Sequence, residues 1–184
     1  MGDSYMTQSD MASLLTRTEL AMIRAVEAFS RWSVFLNKAV SEAALAHQDI
    51  WILHSIRMRG GAQNLSELLL FLNRNDVSSI QYSLKKLERH GLVERVVGNS
   101  KREAGYTLTA DGEEITAAYA QLRDQLLLDI VSDQTNIEPA LMQSAQTMER
   151  LTSVYDQATQ VVLNRRILAP SAFPGEEKAP ESVS

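Results

Sequence analysis

The side chains able to do chemistry in this chain are few, and their types exclude more than they permit. Cysteine is absent and histidine occurs three times, so disulfides, thiol catalysis, thiolate metal sites and cysteine redox sensing are ruled out. His47, Asp49 and His54 lie close together, the two histidines spaced to share a helix face. Zinc takes three or four ligands, and with no thiolate to complete the set these residues read as capping and packing groups. The pair Glu113-Glu114 reads as a complement to the positive end of a helix. No nucleophile-base pair, phosphate loop or metal signature occurs elsewhere. The expectation is a non-enzyme with no catalytic residue, no metal and no cofactor.

A different chemistry runs through the middle of the chain. Ser78, Ser79, Gln81, Tyr82, Lys85, Lys86 and Arg89 fall in one short run, and Lys101 and Arg102 follow. Short hydroxyls and an amide suit base edges: Gln81 can read adenine through paired hydrogen bonds. Lys85 and Lys86 suit phosphates, and Tyr82 suits a phosphate or a thymine methyl group. From Arg57 to Glu103 nine bases face five acids, a local charge of +4, while the remainder holds nine bases and eighteen acids within an overall charge of −5. A basic middle in an acidic frame implies that one surface meets a polyanion. The plain alternative is chance clustering of solvated charges.

Such a row works only if a rigid element presents it. The 184 residues, 45% hydrophobic and 22% charged, suffice for one domain with appendages. No apolar run approaches the ~18 to 20 residues that cross a bilayer, and Met1 to Asp10 is polar, so a soluble cytoplasmic protein with no membrane partner is expected. Helical spacing of Leu14, Met22, Ala25, Phe29, Trp32, Leu36, Ala39 and Ala43 predicts one long helix from about Met11 to Ala44. A second helix runs from about Ala46 to Met58, with Ile50, Leu53 and Ile56 or Arg57 inward, and ends at Gly60-Gly61. Asn64 and Glu67 form a capping box for a short helix with Leu65, Leu68, Leu69 and Leu72 buried. After the turn Asn73 to Asp76, Asp76 caps a helix with Val77, Ile80, Leu84 and Leu87 inward, and Gly91 stops it behind His90. Leu92 to Val97 and Gly105 to Leu108 form a hairpin with a basic tip. Thr109 caps a helix reaching about Val131, striped by Ile115, Tyr119, Leu122, Leu126 and Ile130. A last helix resumes near Ile137 with Pro139 in its first turn. Leu141, Met148, Leu151, Tyr155, Ala158 and Val162 mark its apolar side.

Helix, helix, tight turn, helix, hairpin is the winged helix-turn-helix order, in which the helix after the turn enters a major groove and the hairpin reaches sideways. Leu65-Ser66-Glu67-Leu68, the run from Asp76 to Arg95 containing Leu87-Glu88-Arg89-His90-Gly91-Leu92-Val93, and Leu108-Thr109-Ala110-Asp111-Gly112 resemble the MarR family of bacterial transcription regulators. The likeness is close over Ala46 to Ile115 and rests on helix placement at both ends. The chain departs from the family at the wing tip, where Lys101-Arg102 replaces the usual Asp-Arg pair.

The fold class expected is mainly α with a small β-hairpin wing. Its parts are an N-terminal dimerisation helix with a polar, disordered start (1–45), a winged helix-turn-helix (46–115), C-terminal dimerisation helices (116–168) and a disordered tail (169–184). The resemblance implies a homodimer, and the apolar stripes of long flanking helices agree, since a module of about 70 residues cannot cover them alone; packing of those helices within one chain is the alternative. It also implies a pocket for a small aromatic or apolar effector, which makes Phe29, Trp32 and Trp51 ligand-binding candidates. The function expected is a homodimeric repressor of MarR type that binds a pseudo-palindromic site on double-stranded DNA through Ser78, Ser79, Gln81, Tyr82, Lys85, Lys86, Arg89, Lys101 and Arg102. The alternative is a winged-helix protein-interaction module without specific DNA binding.

Overall fold

The computed structural model describes residues 6–97 and 105–168. The wing tip with Lys101 and Arg102, the first residues of the polar start and the tail from residue 169 lie outside them. The described elements are α1 (Asp10–Val40), α2 (His47–Arg59), α3 (Leu65–Phe71), α4 (Val77–Arg89), β1 (Val93–Val96), β2 (Gly105–Leu108), α5 (Ala110–Ser132) and α6 (Ile137–Leu168). The chain divides into two compact units, Met1–Asp129 and Ile130–Ser184.

In the first unit α2 is the central element. Ile50, Ile52, Leu53 and Ile56 are all buried, and around them lie Leu68 of α3, Ile80, Leu84 and Leu87 of α4, and Leu92 and Val93 at the start of the wing. Ile52 falls outside the stripe the spacing predicts, because α1, α3, α4 and β2 all pack on α2. A helix enclosed on several sides has no single apolar face to read. α1 starts where Ser9 accepts a hydrogen bond from the Ala12 N–H (3.1 Å). It ends at Val40, short of the expected Ala44, because Ser41 takes extended backbone (φ −151°, ψ 137°) and Leu45 turns into the core. Of its expected stripe Leu36 is buried, while Leu14 and Phe29 are exposed.

The turn chemistry follows the predicted residues. Asn64 Oδ1 accepts from the Glu67 N–H (2.9 Å), and Glu67 Oε2 accepts from the Asn64 N–H (2.8 Å), closing the capping box. Asp76 Oδ1 accepts from the Ser79 N–H (3.1 Å) to cap α4. Val77, expected inward, is 43% exposed, because this first residue of α4 lies beyond the buried row that begins at Ile80. Gly91 turns the chain out of α4 with φ +68°.

The strands pair antiparallel with Val93 opposite Leu108 and Val96 opposite Gly105. The hairpin has a second attachment: Gln63 and Tyr106 exchange backbone hydrogen bonds of 2.9 and 2.8 Å, tying the wing to the turn before α3. A single residue pair has no periodicity, so this link left no mark in the sequence pattern.

α5 is locked to the same corner. The Thr109 hydroxyl accepts from the Gly112 N–H (3.1 Å) and donates to the Gly91 carbonyl (2.6 Å). Gly112 packs directly on the Leu92 carbonyl: a Cβ there would lie 2.0 Å from that oxygen. Along α5 Tyr119 is buried, Ile115 and Leu122 pack against the core, and Leu126 and Ile130 are exposed. In the second unit α6 exposes Leu141, Met142, Met148, Val154, Val161, Val162 and Leu163. Among the described residues no helix is long and apolar enough to cross a membrane.

Replacing Gly112 by Ala forces α5 away from the wing and should destabilise the fold by about 2 kcal/mol or more. Urea denaturation of the two proteins checks this, and equal midpoints would refute the close contact.

Candidate nucleic-acid interface

α4 presents a polar face because its opposite face is consumed by the core. Ile80, Ser83, Leu84 and Leu87 are buried, which turns Ser78, Gln81, Tyr82, Lys85 and Arg89 outward, all exposed. Tyr82 is 65% exposed, which leaves an aromatic hydroxyl in solvent midway along the helix. Arg89 Nε donates to the Lys85 carbonyl (3.4 Å), so its guanidinium lies back along the helix.

Two of the residues assigned to this surface from the sequence are turned toward α2. Lys86 Nζ donates to Asp49 Oδ2 at 2.7 Å, and the side chains are 21% and 4% exposed. Lys86 is therefore committed to holding α4 on α2, whereas Lys85 is free to meet a phosphate. Ser79 is half-buried, and its Oγ accepts from Gln48 Nε2 at 2.6 Å. The same amide nitrogen donates to Ser83 Oγ (3.0 Å) and the Ser79 carbonyl (3.1 Å), and Gln48 Oε1 accepts from Arg74 Nη2 (3.3 Å). Gln48 and Arg74 were missed as functional residues. Their partners lie up to 35 positions away, beyond any local pattern.

The electrostatics of this clamp are set by Asp49. Burial pushes its carboxyl up, but hydrogen bonds from Lys86, Ser83 and the Ala46 N–H, with the charge of Lys86, outweigh burial and hold it below the usual value. On the other side of α2, Arg57 and Glu113 form an ion pair that joins α2 to α5.

His47 and His54 serve packing. His47 Nδ1 shares a hydrogen bond with Ser33 Oγ (2.7 Å), and burial lowers its pKa against the opposing pull of Glu27. His54 packs on Tyr119 with ring centroids 4.2 Å apart and the planes tilted by 52°, and burial, assisted by the nearby Arg57 charge, pushes its pKa down to about 4. Among the described residues no group of three or more His, Asp or Glu is placed to hold a metal ion. The ligand candidates come together: Phe29 lies 5.0 Å from Trp51 and 6.2 Å from Trp32. Trp51 Nε1 and Tyr119 Oη, both in this aromatic group, are buried polar atoms without a hydrogen-bond partner.

Residues 45–112 match the family model described as winged helix DNA-binding domain. The fold extends further along the chain. A MarR family transcription regulator superposes with TM-score 0.64 at 18% identity, covering 82% of this chain and 95% of that one. The chain has the winged-helix fold of the MarR regulators. Staphylococcus aureus MarR in complex with salicylate and kanamycin gives TM-score 0.64 at 14% identity, with 79% and 94% covered. The S. aureus MepR-DNA complex gives 0.56 at 17%, with 72% and 94% covered. No curated protein matches the sequence. Within this fold α4 is the helix between the tight turn and the wing, and α2 is the element that holds it.

Two measurements test the support behind α4. Asp49→Asn should cost about 1 to 3 kcal/mol at neutral pH, between the limits for exposed and buried pairs. It should also remove the part of the acid sensitivity that arises below the unfolded carboxylate pKa of ~3.9, where the lowered folded pKa lets protonation drive unfolding. For His54 the window lies higher: the unfolded imidazole takes a proton below ~6.5, while the folded one stays neutral to about 4, so its stability contribution is complete above ~6.5 and is lost as pH falls toward 4. His54→Phe should flatten the stability curve across that window in denaturant titrations, and an unchanged slope would contradict the assignment.

Proposed function

We propose that this protein is a homodimeric transcriptional repressor of MarR type that binds a pseudo-palindromic operator through α4. The observation that carries the reading is the outward row Ser78, Gln81, Tyr82, Lys85 and Arg89 on a helix whose other side is packed on α2, α3 and β1. Donors, acceptors and cations alternate on it, as base edges and phosphates require. Ser79 stands at the flank of this row, and Lys86 contributes through its hold on Asp49. Lys101 and Arg102 are assigned to the backbone or minor groove at the flanks of the site.

Dimerisation is supported by apolar side chains that one chain leaves in water. Met11, Leu14, Ile23 and Val26 on α1 and Leu141, Met142, Val154 and Val162 on α6 are all exposed. A second copy is the partner that symmetry supplies most simply. Two recognition helices then occupy successive major grooves, with half-site centres about one helical turn, ~10 bp, apart.

Release by a small aromatic or apolar effector is supported by a cavity of about 300 Å³ beside Trp51, whose walls include Ile52, Leu72, Arg74 and Ile80. Because Ile80 belongs to α4, a molecule seated there alters the packing of the recognition helix. Phe29, Trp32 and Trp51 remain the aromatic ligand candidates, and the S. aureus MarR structure with salicylate and kanamycin gives a relative of the same fold in complex with small organic molecules.

Selection from a random double-stranded DNA library, followed against salt, tests the reading. An enriched inverted repeat whose affinity falls steeply with salt is expected; no enrichment at low salt overturns it in favour of a protein-interaction module. Gln81→Ala should relax preference at one base position by ~1 to 3 kcal/mol, while Lys85→Ala should weaken all sequences alike and lower the salt slope by ~1. Identical effects of both substitutions on every sequence would overturn this division of roles.

A further inference from the structure

We propose that Gln48, which stands behind the recognition helix on α2, sets the hydrogen-bond polarity of the Ser79 hydroxyl and thereby decides which base edge Ser79 selects. This rests on the reading of α4 as a DNA-reading helix, and it assigns a specificity-determining role to a residue that faces the protein interior rather than the groove.

The orientation of the Gln48 amide follows from two of its contacts. The Ser79 backbone carbonyl, 3.1 Å from one end, can only accept a hydrogen bond, and the Arg74 guanidinium, 3.3 Å from the other, can only donate. The nitrogen therefore faces α4 and the oxygen faces Arg74. An amide nitrogen donates and does not accept, so Ser79 Oγ at 2.6 Å and Ser83 Oγ at 3.0 Å both act as acceptors toward it, its two N–H groups being shared with the Ser79 carbonyl through one bifurcated bond. Neither hydroxyl spends its own proton on Gln48.

The two protons have different destinations. Ser83 is buried, so its proton stays within the protein. A directed chain of donors thus runs from Arg74 through Gln48 to the two serines. Ser79 is the outer branch of that chain. It is half-buried at the third position of α4, in the N-terminal turn that reaches base edges in this type of docking. With a lone pair occupied from behind, its O–H turns outward as a donor. A donor selects the acceptors of the major groove, guanine N7 and O6, adenine N7 or thymine O4, and disfavours the cytosine amino group. A serine with no such contact rotates freely and serves either polarity.

The test compares four full-length proteins by library selection: wild type, Ser79→Ala, Gln48→Met and Gln48→Glu. Ser79→Ala identifies the base position concerned. Gln48→Met keeps the length of the side chain without its amide, and should lose discrimination at that position alone by about 2- to 10-fold, the factor one hydrogen bond of ordinary net strength supplies. Gln48→Glu offers acceptors to both serines, draws the Ser79 proton inward, and should move preference at that position toward the amino groups of cytosine or adenine. The proposal is overturned if both Gln48 variants keep the wild-type preference there, if they change all positions alike, or if Ser79→Ala changes none. A wild type that enriches no sequence overturns the underlying DNA-reading function, an outcome visible before any variant is made.

Discussion

The attachment of α4 to α2 is the constraint on which the rest of this structure depends. A helix that reads a groove must show water a row of polar groups while the rest of its surface is held still, because a base contact is lost within a displacement of about 1 Å. Here the hold has two chemistries. Ile80, Leu84 and Leu87 pack on Ile50, Leu53 and Ile56, a non-directional attachment that tolerates small rotations. The Asp49-Lys86 ion pair and the Gln48 fork onto Ser79 and Ser83 are directional, and fix the rotation of α4 about its own axis. Apolar burial thus supplies the attachment, and hydrogen-bond geometry supplies its angle.

The wing is positioned from the same corner. Gly91, Leu92, Thr109 and Gly112 meet there: the Thr109 hydroxyl bridges the end of α4 to the start of α5, and Gly112 lies against the Leu92 backbone. The Gln63-Tyr106 pairing ties the hairpin to the start of α3. α4 and the base of the wing are therefore referenced to one frame.

Away from that frame the packing is aromatic and less complete. Phe29, Trp32, His47, Trp51, His54 and Tyr119 form a continuous ring contact between α1, α2 and α5, yet Trp51 Nε1 and Tyr119 Oη within it lack partners. Buried polar groups without partners are uncommon and costly. A region of that kind has polar groups to offer a ligand without losing bonds already made.

Much of this protein was legible in its residues, and the reason is that the signals were local. The capping box of Asn64 and Glu67, the Asp76 cap, the stop at Gly91 and the Thr109 cap each depend on atoms within a few positions of one another, where sequence spacing and spatial distance are the same information. The order of elements and the outward placement of Gln81 and Lys85 follow from those local rules with a helical period. What only the tertiary structure decided is the role of side chains whose partners are remote in sequence. Lys85 and Lys86 are chemically identical neighbours, and the sequence offered no reason to separate them. A rotation of about 100° between consecutive helix positions sends one to solvent and the other to Asp49, 37 positions away. The same step places Ser79 against Gln48 and leaves Ser78 free. Long-range pairing depends on how whole helices are set against each other, and no period within a single helix encodes that.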